Sequence, residues 1–182
     1  MRFPEPAKPC AMLGRMMLAT PHNPLESQAG RSFAALMELY ENNYIFLRRL
    51  IPDVDRNADR VVSSIDGSPD LHLEVTERCA YTTNVILTHR FDRAQMPEVL
   101  PDLRVRIYHD ARVAEVLPES SPQGFGGSRP HALPERGTLA WRWEVNRFLN
   151  RWLRYCLGEG HAFPPEVDGT PAPRPEARRW AV

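Results

Sequence analysis

The stretch LHLEVTERCAYTTNVILTHRF, residues 71–91, and the later LRVRIYHDARVAEV, residues 103–116, decide the fold. In the first, Leu71, Leu73 and Val75 alternate with His72, Glu74 and Thr76, and residues 81–91 are rich in β-branched side chains. In the second, Leu103, Val105 and Ile107 alternate with Arg104, Arg106 and Tyr108, before residues 111–117 turn back. Successive side chains of a strand point to opposite faces. Such alternation therefore marks antiparallel strands with one apolar and one polar face. Residues 61–65 add a short strand, followed by the turn Asp66-Gly67-Ser68-Pro69.

Working outward, the strands lie between two helical patterns. Phe33, Leu36, Met37, Tyr40, Tyr44, Leu47 and Ile51 recur at helical spacing, with Ser32 placed to cap the start and Pro52 to stop the pattern. Val145, Phe148, Leu149, Trp152 and Cys156 form a second stripe over residues 141–157, where Gly158 and Gly160 follow. The expected fold class is α+β: a four- or five-stranded antiparallel meander flanked by an N-terminal and a C-terminal helix, both on the sheet's apolar face. Residues 31–160 form the single domain, with a turn-rich loop at 118–138. Residues 1–30 read as a Pro-rich flexible arm, in which 12–17 could form a short helix, and 161–182 as a Pro/Arg-rich tail.

Register can be tested because paired residues share a face. A three-residue loop Arg78-Cys79-Ala80 would set Glu77 opposite Tyr81, Val75 opposite Thr83, Leu73 opposite Val85 and Leu71 opposite Leu87. A turn at Asp110-Ala111 would set His109 opposite Arg112, Ile107 opposite Ala114 and Val105 opposite Val116, with Arg106 across from Glu115 as a cross-strand ion pair. Both hairpins then carry polar groups at the turn end of the apolar face. Glu77, Tyr81, Thr83, His109 and Arg112 could line one pocket there, and Glu41 and Asn43, bordering the first helix's apolar stripe, could reach it. Arg147, Arg151 and Arg154 line one side of the second helix, either as a solvated face or as a surface for an anion or an acidic partner.

The totals restrict the function. There are 23 cationic and 23 acidic residues. Phosphate neutralisation calls for a basic excess, so the balance argues against nucleic acid. The single lysine is Lys8, so the cationic groups are almost all arginine, the side chain suited to bidentate carboxylate or phosphate contacts. Three cysteines without a CxxC pair argue against a disulfide framework or zinc site and fit a reducing cytoplasm. No apolar run approaches the ~20 residues of a membrane span. His109 and Asp110, as strand neighbours, point to opposite faces, and only Glu77 is an obvious third ligand. No metal and no cofactor is therefore expected. Phosphate-binding glycine loops and nucleophile elbows are absent from the sequence.

Four segments together resemble the YqiB-like family of bacterial proteins of unknown function: LYENNYIFLRRLIP (39–52), VTERCAYTTNVIL (75–87), LRVRIYHDARVAEV (103–116) and NRFLNRWLRYCL (146–157). The resemblance spans about residues 36–157 and implies no activity. The leading expectation is a non-enzymatic cytoplasmic binding or adaptor protein with a small polar or anionic pocket. Arg112 would contact the anion, His109 and Tyr81 would donate to it, and Glu77 would orient Arg112. The alternatives are a small phosphoester hydrolase using His109, and a protein-interaction module without a pocket.

Overall fold

A five-stranded antiparallel meander lies against two helices in a computed structural model that describes residues 32–55, 57–91, 98–120 and 134–164. The expected arm, the centre of the 118–138 loop and most of the tail lie outside the described residues. The elements are α1 (Phe33–Leu50), β1 (Arg60–Ser63), β2 (Asp70–Arg78), β3 (Thr82–Phe91), β4 (Glu98–Tyr108), β5 (Val113–Val116) and α2 (Leu139–Gly158), with the strands in chain order across the sheet. This is the expected α+β class.

The helix ends follow from local chemistry. Ser32 Oγ accepts from the Ala35 amide at 3.2 Å, and Thr138 Oγ1 accepts from the Trp141 amide at 3.2 Å, each satisfying a donor of a first turn. Gly160, at φ 92°, turns the chain out of α2, while Gly158 is the last residue of the helix itself. The helices run side by side in the same direction. Asn43 of α1 meets Asn146 and Asn150 of α2, and further along Leu50 O accepts from the Phe163 amide. Both cover one face of the sheet: Leu47 and Leu50 join Val145, Phe148, Leu149 and Trp152 over Leu73, Leu87, Val105 and Ile107. The alternation in the sequence therefore sorted the sheet's faces correctly.

The second hairpin has the expected register, with Val105 opposite Val116 and Ile107 opposite Ala114. The first does not. Val75 pairs with Val85, Leu73 with Leu87 and Leu71 with His89, two residues further along than expected. Thr76 is the extra residue of a bulge, after which Glu77 pairs with Asn84 and Arg78 with Thr83. The reason is Arg78, which belongs to the strand and not to the loop. Its guanidinium donates to the carbonyl oxygens of Val54 and Asn57 and pairs with Asp59. The loop is then Cys79–Tyr81, closed by the Cys79 amide on Thr82 O at 2.8 Å. A shift of two keeps every side chain on its own face, so the apolar pattern alone could not distinguish the two registers.

The ordered body also runs past Gly160. His161 and Phe163 are buried, the Phe163 amide donates to Leu50 O at 2.7 Å, and Asn57 Nδ2 donates to Phe163 O at 3.3 Å. Residues 161–164 thus close the core beside the end of α1.

Candidate functional site

The two hairpin turns lie at one end of the sheet, since the His109 amide donates to Tyr81 O at 2.9 Å. The structure brings Thr83 and His109 together there. Thr83 is fully buried, and its Oγ1 lies 2.8 Å from His109 Nε2. That bond occupies one ring nitrogen and fixes the half-buried imidazole. Tyr81 is 68% exposed beside it. Asp110 organises the second turn by accepting from the Ala111 amide at 2.8 Å. Arg112 closes this turn with φ 54°, the one non-glycine residue in the left-handed region among the described residues, and it is exposed. That backbone costs a non-glycine residue of order 1 kcal/mol.

The other candidates go elsewhere. The bulge turns Glu77 onto the open face of the sheet, where its carboxylate accepts from Asn84 Nδ2. Asn84 Oδ1 in turn accepts from Arg106 Nε at 2.9 Å. Glu77 is therefore engaged in a ladder across β2, β3 and β4, not beside Arg112. The Arg106–Glu115 ion pair does not form either. Glu115 is directly across the ladder, but its carboxylate is taken by Arg142 Nη1 at 2.7 Å, Tyr108 Oη at 2.9 Å and Tyr40 Oη at 3.1 Å. Burial pushes the Tyr40 phenol up to about 12, and it raises Tyr108 too, with the Glu115 charge adding in the same direction. Both phenols thus remain donors to Glu115 at neutral pH. The cluster ties both helices to the edge strand.

Glu41 is exposed on α1, whereas Asn43 is fully buried between the helices. Asn43 Nδ2 donates to Asn146 Oδ1 at 3.3 Å, and its Oδ1 accepts from Asn150 Nδ2 at 3.0 Å. Asn146 Oδ1 also accepts from the Val116 amide at 3.0 Å. These three amides connect α1, α2 and β5, and Asn43 does not reach the turn end. Arg147, Arg151 and Arg154 are half-buried along α2, with Arg147 3.9 Å from Glu144.

A second group of titratable side chains lies under the far end of α2. His89 is fully buried, its Nδ1 3.2 Å from Pro69 O and its Nε2 3.5 Å from Cys156 Sγ. His161 stands beside it, with ring centroids 5.5 Å apart. Burial is the main force that lowers His89, to about 4, and His161 adds to the effect. Burial raises the Cys156 thiol, which makes it inert. Among the described residues no three His, Cys, Asp or Glu side chains are grouped as a metal ion would need. No helix among them is long and apolar enough to cross a membrane.

Sequence reasoning missed His89, His161, Glu115, Arg142, Asn146 and Asn150 as organised polar groups. The parity of Val85 and Leu87 already puts His89 on the core face. Asn146 and Asn150, four apart beside an apolar stripe, signal one buried polar side of a helix. His161 carried no signal, because nothing in a Gly-flanked segment indicates that the chain docks back.

A model of the family described as "Protein of unknown function (DUF1249)" matches residues 46–162. Three relatives, each called "Uncharacterized protein YqiB", come from Escherichia coli strains K12, O6:H1 and O157:H7. Each is 37% identical over 131 residues, which span 70% of this chain and 90% of the relative. No solved structure matches.

Proposed function

The chain belongs to the DUF1249 family of proteins of unknown function, and from the geometry of its own site we propose that it is a non-enzymatic binding protein taking a small acidic ligand at the turn end of its sheet. The observation that carries this reading is Arg112. A left-handed turn position is one that glycine fills without strain. An arginine kept there at a cost in stability is supported most simply by a use for its guanidinium. His109, held by Thr83, and the exposed Tyr81 lie at the same end of the sheet and would supply further donors. Arginine, imidazole and phenol together suit a carboxylate or phosphate group.

A binding role fits better than hydrolysis. A phosphoester hydrolase would need a second acid or base near His109. Glu77, the candidate for that part, is committed to Asn84 on the open face.

Calorimetric titration with inorganic phosphate and with citrate tests the reading. We expect saturable binding of at least one anion, and a rise in stability of roughly 2.7 kcal/mol at 100 times the dissociation constant. Arg112→Gly should abolish both, and His109→Gln should weaken them. Binding that survives Arg112→Gly unchanged would place the ligand elsewhere.

A further inference from the structure

Residues 159–163 are held against the body by a set of bonds centred on two imidazoles. His161 Nδ1 lies 3.1 Å from Ser63 Oγ on β1, and its Nε2 lies 3.4 Å from Ser68 Oγ. The Ala162 amide donates to the same Ser63 Oγ at 3.3 Å. On the inner side, the ring of His161 meets the edge of His89, which is enclosed by Trp152 at 5.3 Å and Tyr155 at 6.2 Å between ring centroids. We propose that His89 and His161 form an acid-sensitive latch that holds residues 159–163 closed when both rings are neutral and releases the segment when either takes a proton.

The argument is geometric first. Two imidazoles in face-to-edge contact cannot both carry charge in a buried site without strong repulsion. The surrounding groups do little to offset a charge. From β1 comes the Ser63 hydroxyl, and from the turn before β2 come Ser68 and the Pro69 carbonyl. From α2 come the Trp152 ring, the Tyr155 phenol and the Cys156 thiol. The Ser63 backbone and then the Asp70 charge pull His161 toward its charged form, the Pro69 and Asp70 backbones do so for His89, His72 opposes charge on His89, and Glu159 acts on Tyr155 and Cys156. Burial outweighs the Ser63 and Asp70 contributions, so His161 is lowered as His89 is. Opening the segment returns His161 to water and uncovers one side of His89. His161 then recovers its ordinary proton affinity, and His89 recovers part of its own. Protons therefore favour the open form, and acid moves the equilibrium toward release. The segment also carries the Phe163 contacts with Leu50 and Asn57, so release uncovers the core where α1 ends.

Backbone amide exchange on the full chain, read residue by residue by NMR as protection factors at pH 7.5, 6.0 and 5.0, tests the latch. Below the ordinary imidazole range, the open fraction should rise ~10-fold per pH unit for each ring involved. Protection at His161 and Phe163 should fall by that factor from a level well below that of Leu73, Val105 and Leu149, whose amides open only with the whole fold. His161→Gln should remove the larger part of the segment's pH dependence, His89→Gln the smaller part, and the double variant all of it. If His89→Gln fails to fold, His161→Gln alone decides. Segment protection that stays constant with pH, or that equals the sheet's at every pH, would overturn the proposal.

Discussion

At Arg112 the backbone and the side chain make opposite demands. The φ of 54° suits glycine, and arginine supplies a guanidinium at a strained position. Arg112→Gly should therefore raise the unfolding free energy by roughly 0.5–1 kcal/mol, the strain relieved less the greater freedom of glycine in the unfolded chain. Urea unfolding of the two proteins measures it, and a loss of stability would show that the Arg112 side chain braces the turn. The strain itself was not legible in the sequence. Placing Asp110-Ala111 in the turn correctly paired Tyr108 with Val113 and left Arg112 just before the returning strand. But φ depends on how the loop closes, and alternation does not encode that. Thr83 and His109 were legible because parity assigns both to the apolar face. Glu77 was misplaced because a single bulge residue, Thr76, moves it to the other face.

At the scale of elements, three asparagines do what apolar packing alone does not: they fix the helices to each other and to the edge strand. Asn146 is central, since its Oδ1 accepts from both Val116 N and Asn43 Nδ2. Asn146→Ala would leave a buried strand amide and a buried side-chain amide without their acceptor. We expect a loss of roughly 2–3 kcal/mol in urea unfolding, well above the ~1 kcal/mol of an average hydrogen bond. A loss below ~0.5 kcal/mol would mean that the amide triad is not what sets the helices in place. The helices and strands were read from periodicity, and their types and order stand. What periodicity could not supply was which polar residue on a helix faces a neighbour. Asn43 was read as bordering the apolar stripe, yet it lies wholly inside because α2 brings two amides to meet it.

For the molecule as a whole, acid works against this fold. His89 has its imidazole lowered to about 4 in the folded protein, chiefly by burial, against an ordinary value of 6.5. Below pH ~6.5 the unfolded chain binds a proton that the folded chain refuses, so protons favour unfolding. Stability is full above that range and falls as pH drops toward 4, by roughly 3 kcal/mol if His89 acts alone. Urea unfolding at a series of pH values between 7.5 and 4 should show this decline, and His89→Gln should flatten it. A profile that is level from pH 7 to pH 5 would contradict the burial argument. The contrast with the turn end is instructive. The deeply buried titratable groups are locked into internal contacts, while the groups free to meet a ligand, Tyr81 and Arg112, lie outside the core at one end of the sheet.

That contrast makes the turn end the central claim, and the most direct measurement is a ¹⁵N NMR titration of the full chain with inorganic phosphate. Our account predicts saturable shifts confined to the amides of residues 81–83 and 109–112, absent in Arg112→Gly. Shifts centred instead on Arg147, Arg151 and Arg154, or none at all with phosphate and with citrate, would contradict it.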